Sequence, residues 1–163
     1  MRTQMLWGDA SGVFSTSGAT LIPEVPGYGI ITDLDASDLD GDGARDLVIN
    51  RTGDPSGPGW YRGYHLQLMR QAGRRAFVDI TSERLRQHED PQAGSANWIR
   101  IWDVDDDGDP DIVADDETHT HLFWTNDGTG GFGRGGLIPR TLPRTKGVRT
   151  QCRTHRFRST ILA

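Results

Sequence analysis

The sequence predicts an all-β protein assembled from repeated sheets. Glycine (21) and proline (8) are frequent and hydrophobic residues make up only 34% of the 163 residues, a balance typical of short strands joined by tight turns. Two acidic stretches, DLDGDGARD (38–46) and DVDDDGDPD (103–111), lie 65 positions apart, and a short β-type apolar run follows each. Five Trp, five Phe and three Tyr provide for a packed core and distinguish the chain from a disordered one.

The surroundings of the two acidic stretches repeat as well. IITDLDASDLDGDGARDLVIN aligns with NWIRIWDVDDDGDPDIVADD. Downstream come an aromatic strand, a turn and a closing Phe: HLFWTNDGTGGF (121–132), the weaker copy YHLQLMRQAGRRAF (64–77) and MLWGDASGVF (5–14). A period of roughly 55–65 residues with about four short strands is typical of a β-propeller blade. We therefore predict a partial β-propeller of about two four-stranded antiparallel blades plus a half blade.

The repeats divide the chain into three units and a tail. We assign residues 1–28 to a partial blade, 29–81 to a blade with an acidic loop, 82–139 to a second such blade and 140–163 to a basic tail. In the first full blade, apolar alternation and turn residues predict strands near 29–34, 46–50, 61–68 and 75–80. In the second, a helical turn within 82–90 ends before Pro91, and strands follow near 98–104, 112–114, 119–125 and Phe132.

Each acidic loop has the spacing of an oxygen-rich cation site. Side-chain oxygens fall at positions 1, 3, 5 and 9, a glycine at position 6 permits the bend, and position 7 can offer a carbonyl. Carboxylates this close repel one another unless a cation lies among them. The predicted ligands are Asp38, Asp40, Asp42, Ala44 and Asp46 in the first loop, and Asp103, Asp105, Asp107, Asp109 and Asp111 in the second.

The ligand type favours Ca²⁺, with about two sites in the chain. Several oxygen ligands suit Ca²⁺, whereas Mg²⁺ retains more water and Zn²⁺ prefers the His or Cys that neither loop contains. An EF-hand is excluded because it needs a Glu at position 12 and flanking helices. Ile49 and Ala114 stand at position 12, and the β-branched, apolar run after each loop predicts a strand. The competing interpretation, an acidic surface turn without metal, is weakened by the second copy with the same ligand and glycine positions.

The pattern Asp-x-Asp-x-Asp-Gly-x-x-Asp-Leu/Ile before a strand, with NDGTGGF downstream, resembles the FG-GAP/VCBS-type repeat of integrin-α-like β-propellers. FVDIT (77–81) is similar to the closing phrase of such repeats in the ASPIC/UnbV-associated group. The resemblance covers roughly residues 5–139. It implies a propeller whose loops hold structural Ca²⁺ through the aspartates at positions 1, 3, 5 and 9 of each loop, an extracellular or cell-surface location, and an adhesion or carbohydrate-related role. It carries over no catalytic residue.

The size of the chain departs from that family pattern. The family closes a ring of about six to eight blades, and an open piece exposes sheet faces and edges. We therefore expect a fragment that associates with further blades or with another chain. The tail 140–163 stands where a third acidic loop is due, yet it holds seven basic and no acidic residues. We interpret it as disordered or out of frame; the alternative is a basic arm for nucleic acid or a membrane surface.

Charge and composition bound the function further. The first 139 residues hold 11 basic against 23 acidic side chains, so their net charge of −12 suits a cation and makes a nucleic-acid partner unlikely for them. Cys152 is the single cysteine, so no internal disulfide can form. No apolar stretch approaches the ~18 residues of a membrane helix, and MRTQMLWGDASGVF lacks the apolar core of a signal peptide.

We predict a non-catalytic module for binding or adhesion, with a protein or glycan as ligand. The alternatives are part of a carbohydrate-binding or carbohydrate-active propeller protein and, third, a nucleic-acid binder that uses its basic tail. Trp60, Trp98, Trp102 and Trp124 could form a sugar-stacking surface, but packing between blades is the preferred interpretation. His119 and His121 alternate beside acidic residues, and we interpret them as solvent-facing strand residues rather than metal ligands.

Overall fold

The computed structural model describes residues 3–53, 63–86, 96–116 and 121–138, and these form an all-β arrangement of three antiparallel sheets. Strands that are neighbours in a sheet are consecutive in the chain, and none of the three sheets closes on itself. The strands are β1 (Thr3–Gly8) and β2 (Phe14–Ile22) in sheet 1; β3 (Ile30–Ser37), β4 (Asp46–Thr52), β5 (His65–Gly73) and β6 (Ala76–Asp79) in sheet 2; and β7 (Ala96–Trp102), β8 (Asp111–Asp116), β9 (His121–Asn126) and β10 (Phe132–Ile138) in sheet 3.

Local sequence located the strands closely, and β5 differs most from its prediction. The run 61–68 was expected, but β5 begins at His65 and continues to Gly73. Leu66, Leu68 and Met69 are buried, and β5 pairs with β4 on one side and β6 on the other, so the sheet extends the strand beyond its apolar run. One helical turn, α1 (Thr81–Arg84), overlaps the predicted turn. Several predicted features lie outside the described residues, namely Trp60, Pro91, His119 and the tail 140–163.

Sheet 2 lies between the other two sheets, and β4 is its most buried strand. Every residue of β4 is buried. Leu47 and Ile49 join a cluster with Ile22 of sheet 1, while Val48 joins a larger cluster with Ile99 and other residues of sheet 3. Because alternate residues of a strand point to opposite faces, β4 packs against both neighbours at once. Each such fully buried aliphatic side chain contributes about 1.5–3 kcal/mol.

The tryptophans divide between core and surface. Trp124 is 1% exposed, meets the ring of Tyr64 edge-on at 6.2 Å, and donates from Nε1 to the Arg86 carbonyl (3.2 Å). Its role in packing between sheets is thus the one that sequence reasoning preferred. Trp102 is 45% exposed, and Trp98 carries the Arg100 guanidinium over its ring at 5.5 Å. These two rings lie on the face of β7 opposite to that of Ile99, whose side chain lies in the core shared with sheet 2.

Two aspartates of β3 attach sheet 2 to sheet 3. Asp33 accepts a hydrogen bond from the Leu34 amide through Oδ1 (2.9 Å) and one from the Ile99 amide of β7 through Oδ2 (3.0 Å). Within the described residues β3 and β7 are end strands of their sheets, so the carboxylate satisfies donors on two open edges. Asp35 bridges the next pair of amides in the same way, namely Ala36 (2.8 Å) and Ile101 (3.0 Å). No helix among the described residues is long and apolar enough to cross a membrane.

Candidate metal centres

Loop A (residues 38–46) joins β3 to β4 and curls its acidic side chains back over its own backbone. Asp38 Oδ2 accepts a hydrogen bond from the Gly43 amide (2.9 Å), and Asp42 Oδ1 accepts one from the Ala44 amide (2.7 Å). Asp40 Oδ1 accepts from the Asp42 amide (3.2 Å). Gly43 has a φ of +85°, a left-handed conformation in which a Cβ is unfavourable. The glycine at position 6 therefore makes the bend that sequence reasoning assigned to it.

Loop B (residues 103–111) joins β7 to β8 along the same backbone path. Asp103 accepts hydrogen bonds from the amides of Asp107 (3.1 Å) and Gly108 (3.0 Å), and Gly108 has a φ of +97°. Asp106 is left-handed at +61°, as is Gly41 at +75° in the equivalent position of loop A. Aspartate is one of the few residues that tolerate this conformation. The two loops are thus equivalent in conformation as well as in sequence.

Asp46, the aspartate at position 9 of loop A, attaches the loop to sheet 2. Asp46 accepts hydrogen bonds from the amides of Leu39 (3.2 Å) and Gln71 (2.8 Å), and only 3% of the residue is exposed. Burial raises the pKa of Asp46, and the charges of Asp40 and Asp42 act in the same direction although the two amide bonds oppose them. The carboxylate therefore joins position 2 of the loop to the third strand of its sheet.

Asp111, the aspartate at position 9 of loop B, makes the equivalent contacts in sheet 3. Asp111 accepts hydrogen bonds from the Val104 amide (2.8 Å), again at position 2, and from the Asn126 amide (2.8 Å) at the end of β9. The residue is completely buried. The sequence predicts Asp46 and Asp111, the aspartates at position 9, as cation ligands alone. The structure adds that both of their oxygens already hold backbone amides.

Three carboxylates in each loop lie close enough to share one cation. In loop A, one oxygen each from Asp38, Asp40 and Asp42 lie within 4.8 Å of one another. In loop B the corresponding group consists of Asp103, Asp105 and Asp111. Both groups contain the aspartates at positions 1 and 3. The third member is at position 5 in loop A and at position 9 in loop B. The side chains of the other predicted aspartate ligands stand outside these groups, namely Asp46, Asp107 and Asp109. The predicted role of the Ala44 carbonyl stays a prediction.

Asp109 lies against a neighbouring turn. A Cβ built on Gly128 would stand 2.7 Å from Asp109 Oδ2, so this side chain fills the space beside the turn between β9 and β10. The sequence predicts a ligand role for position 7 through its backbone carbonyl. That role stays a prediction, and the side chain itself packs beside Gly128.

The two groups have the chemistry that a hard cation requires. In loop A, Asp38 Oδ1 is buried and has no hydrogen-bond partner within the described part of the chain, an arrangement that costs free energy unless a positive charge or donor satisfies the oxygen. In loop B, desolvation raises the pKa of Asp105, and the charges of Asp111 and Asp107 raise it further. A cation among these oxygens would supply the absent partner and offset the repulsion. The donor set is entirely oxygen, which fits Ca²⁺.

A second repeated turn was not assigned a role from sequence. Asp127 Oδ1 accepts hydrogen bonds from the Thr129 amide (2.9 Å), the Thr129 hydroxyl (2.7 Å) and the Gly131 amide (3.1 Å). Asp9 Oδ1 makes the matching three bonds, two with Ser11 (2.8 and 2.6 Å) and one with Val13 (3.0 Å). The Thr129 hydroxyl is the main reason that the pKa of Asp127 is lowered. The sequence predicts a turn in each stretch, and the recurring Asp-x-Ser/Thr-Gly in GDASG and NDGTG is the signal that could also have predicted its aspartate-centred hydrogen bonds.

Comparison of the chain with protein-family models, with curated proteins and with solved structures found no match.

Proposed function

We propose that the chain is a Ca²⁺-stabilised module of a β-propeller with a non-catalytic role in binding or adhesion. The observation that carries the proposal is the equivalence of loops A and B. In each loop three carboxylate oxygens lie within 4.8 Å of one another, and a glycine with a left-handed conformation makes the bend. In each, a buried aspartate at position 9 attaches the loop to its sheet. The cation joins positions that are far apart in the loop and neutralises repulsion that otherwise spreads them. Its role is therefore structural.

The arrangement of the sheets supports the propeller part of the proposal. Sheets 2 and 3 are four-stranded meanders, and each sheet packs face to face on the next in chain order. The first strands of the two meanders, β3 and β7, lie side by side and are bridged by Asp33. A ring of blades places first strands together around a central axis. The two strands of sheet 1 correspond to the last two strands of a preceding blade, since the Asp9 turn matches the Asp127 turn.

The proposal includes further blades, or another chain, as partner. Leu6 and Leu21 of sheet 1 are 40% and 53% exposed on the face opposite to sheet 2, the face that a preceding blade covers in a ring. Extracellular Ca²⁺-binding modules work with Kd values on the order of 10⁻⁴ to 10⁻³ M. A site of this strength suits a secreted or cell-surface protein, which is the location we propose.

Thermal unfolding with and without Ca²⁺ tests the proposal. Ca²⁺ at about ten times its Kd stabilises the folded chain by about 1.4 kcal/mol per site, so the Tm rises and a chelator reverses the rise. The double variant Asp40→Asn/Asp105→Asn removes one ligand from each loop and is the matched control. Mg²⁺ at the same concentration controls for ionic strength. A Tm that does not respond to several-millimolar Ca²⁺, together with no binding heat in calorimetry, contradicts the proposal.

One observation favours a carbohydrate ligand as the second candidate function. Trp98 and Trp102 lie on the same face of β7, and Trp102 is 45% exposed. Aromatic rings with an exposed face stack on sugar rings. A glycan array compared between the native chain and Trp102→Ala tests this. Binding that is lost in the variant supports the candidate, and no glycan bound by the native chain contradicts it.

A further inference from the structure

We propose that Asn126 is a positioning residue that couples loop A to loop B, so that a cation in one loop strengthens binding in the other. The inference rests on the proposed function, because it concerns the same two cation sites. It goes beyond that function, since two independent structural sites would serve a module equally well. Asn126 ends β9 in sheet 3, yet it contacts a loop of sheet 2.

Asn126 binds both loops through different groups. Its backbone amide donates to Asp111 Oδ1 of loop B (2.8 Å). Its side-chain Nδ2 donates to the Leu39 carbonyl of loop A (2.8 Å) and to the Pro110 carbonyl of loop B (3.1 Å). Asn126 is 4% exposed, so water does not compete effectively for these groups. The side chain therefore ties position 2 of loop A to position 8 of loop B, and the backbone amide of the same residue holds position 9 of loop B.

The turn that follows Asn126 makes a second contact with loop A. Asn126 Oδ1 accepts hydrogen bonds from the amides of Gly128 (3.1 Å) and Gly130 (3.1 Å), which fixes the turn. Gly130 is buried, and a Cβ built on it would stand 3.1 Å from the Cβ of Asp40 and 3.7 Å from the Leu39 carbonyl oxygen. One residue of sheet 3 thus controls a turn that lies against a ligand position of loop A.

These contacts form one continuous path between the two sites. Asp111 holds the Asn126 amide, the Asn126 side chain holds the Leu39 carbonyl, and the Leu39 amide is held by Asp46. A cation in loop B restrains Asp111 and therefore Asn126, which in turn orders loop A. The conformational entropy that loop A loses when its own cation binds is then smaller. Coupling between two binding sites is reciprocal, so loop A strengthens loop B by the same factor.

The equivalent residue in sheet 2 provides a matched control. Gln71 stands where Asn126 stands in sheet 3, because its amide donates to Asp46 as that of Asn126 does to Asp111. Gln71→Ala removes a side chain at the same repeat position and leaves the bridge between the loops intact. Asn126→Ala removes the bridge. Asn126→Asp retains the oxygen that holds the turn and loses the Nδ2 donor, which covers the case in which the alanine variant does not fold.

Terbium luminescence measures loop B selectively. Trp102 directly precedes Asp103, so excitation of Trp102 sensitises Tb³⁺ in loop B, and Trp102→Phe identifies that part of the emission. The Tb³⁺ affinity of loop B is measured in four proteins: native, loop A disabled by Asp38→Asn/Asp40→Asn, Asn126→Ala, and the combination. Asn126→Asp and Gln71→Ala are then each measured with and without a functional loop A.

The expected result is a coupling that depends on Asn126. Disabling loop A lowers the Tb³⁺ affinity of loop B about fivefold in the native and Gln71→Ala backgrounds, at the lower end of typical coupling strengths. In the Asn126→Ala and Asn126→Asp backgrounds, disabling loop A changes the Tb³⁺ affinity of loop B by less than about twofold, which is the tolerance for independent sites. Equal weakening in all backgrounds, or none in any, overturns the coupling while leaving two working sites. Absence of Tb³⁺ emission from loop B in the native chain contradicts the proposed function, and the coupling with it.

Discussion

Asp33 of β3 and the backbone amide of Ile99 in β7 are joined by a hydrogen bond of 3.0 Å that links two sheets through their end strands. The same carboxylate oxygen lies 3.0 Å from the Arg100 guanidinium, but that ion pair is largely in solvent, with 60% of the arginine side chain exposed. A hydrogen bond to a charged acceptor contributes about 1.5–3 kcal/mol, whereas an exposed ion pair contributes about 0–1 kcal/mol. The amide contact is therefore the stronger of the two.

This difference predicts the effects of two substitutions. Asp33→Ala lowers the free energy of unfolding by about 2 kcal/mol because the Leu34 and Ile99 amides lose their acceptor. Arg100→Ala lowers it by less than about 1 kcal/mol. Asp33→Asn, which retains one acceptor oxygen, falls between them. Urea unfolding followed by Trp fluorescence measures all three, and equal losses for Asp33→Ala and Arg100→Ala would show that the ion pair is the important contact.

Substitution of two glycines in equivalent turns distinguishes the cost of backbone strain from the cost of contact with loop A. Gly12 and Gly130 have φ values of +82° and +76°, and a Cβ on Gly12 meets no atom within 4 Å while one on Gly130 meets Asp40 at 3.1 Å. Gly12→Ala costs about 1 kcal/mol from the left-handed backbone alone. Gly130→Ala costs about 1–3 kcal/mol more, because the side chain pushes against loop A. Denaturant unfolding of both variants checks this, and similar costs at the two sites count against close packing of turn and loop.

Asp79 predicts a dependence of stability on pH. Burial raises the pKa of Asp79, but hydrogen bonds from Gln67 Nε2 (2.6 Å) and from the amide and hydroxyl of Thr81 outweigh it and hold the pKa below its ordinary value of 3.8. A lowered pKa in the folded state means that the ionised carboxylate stabilises the fold above pH 3.8 and that this stability is lost as pH falls through the folded value.

The comparison of native chain and Asp79→Asn isolates this effect from the other carboxylates. The native chain is the more stable of the two near neutral pH, and the difference shrinks as pH falls below 3.8. Thr81→Val removes the hydroxyl donor and moves the pKa of Asp79 back towards 3.8, which carboxyl NMR titration detects. A difference in stability that does not vary with pH would show that the carboxylate acts only through its shape.

Asp105 predicts opposite effects in the presence and absence of metal. Desolvation and the charges of Asp111 and Asp107 raise the pKa of Asp105, so its ionised form is less favourable in the metal-free folded loop than in the unfolded chain. In a chelator, Asp105→Asn therefore has a higher Tm than the native chain. In excess Ca²⁺ the order reverses, because the variant lacks a ligand of loop B. Calorimetric scans under both conditions check the reversal, and a lower Tm for the variant in chelator contradicts it.

Local sequence predicted the strands and loops well because the signals are local. Loop A and loop B are bent by glycines whose position within the motif is visible in the sequence, and the strands after them are read from their β-branched runs. The bounds of β5 were less accurate, since its extension to Gly73 depends on pairing with both β4 and β6. Which oxygens come together was only partly predictable, because Asp46 and Asp111 follow the same pattern yet only Asp111 joins its group.

By itself, the sequence determined the all-β class, the repeat of the two acidic loops and the oxygen-rich character of the candidate sites, because each depends on residue type and spacing within a short stretch. Only the tertiary structure decided that sheet 2 is covered on both faces, that Asp33 bridges two sheet edges, and that Asn126 reaches Leu39 across 87 positions of the chain. Contacts between such distant positions depend on how the sheets stack, and that stacking results from the burial of many apolar side chains together. No single motif encodes it.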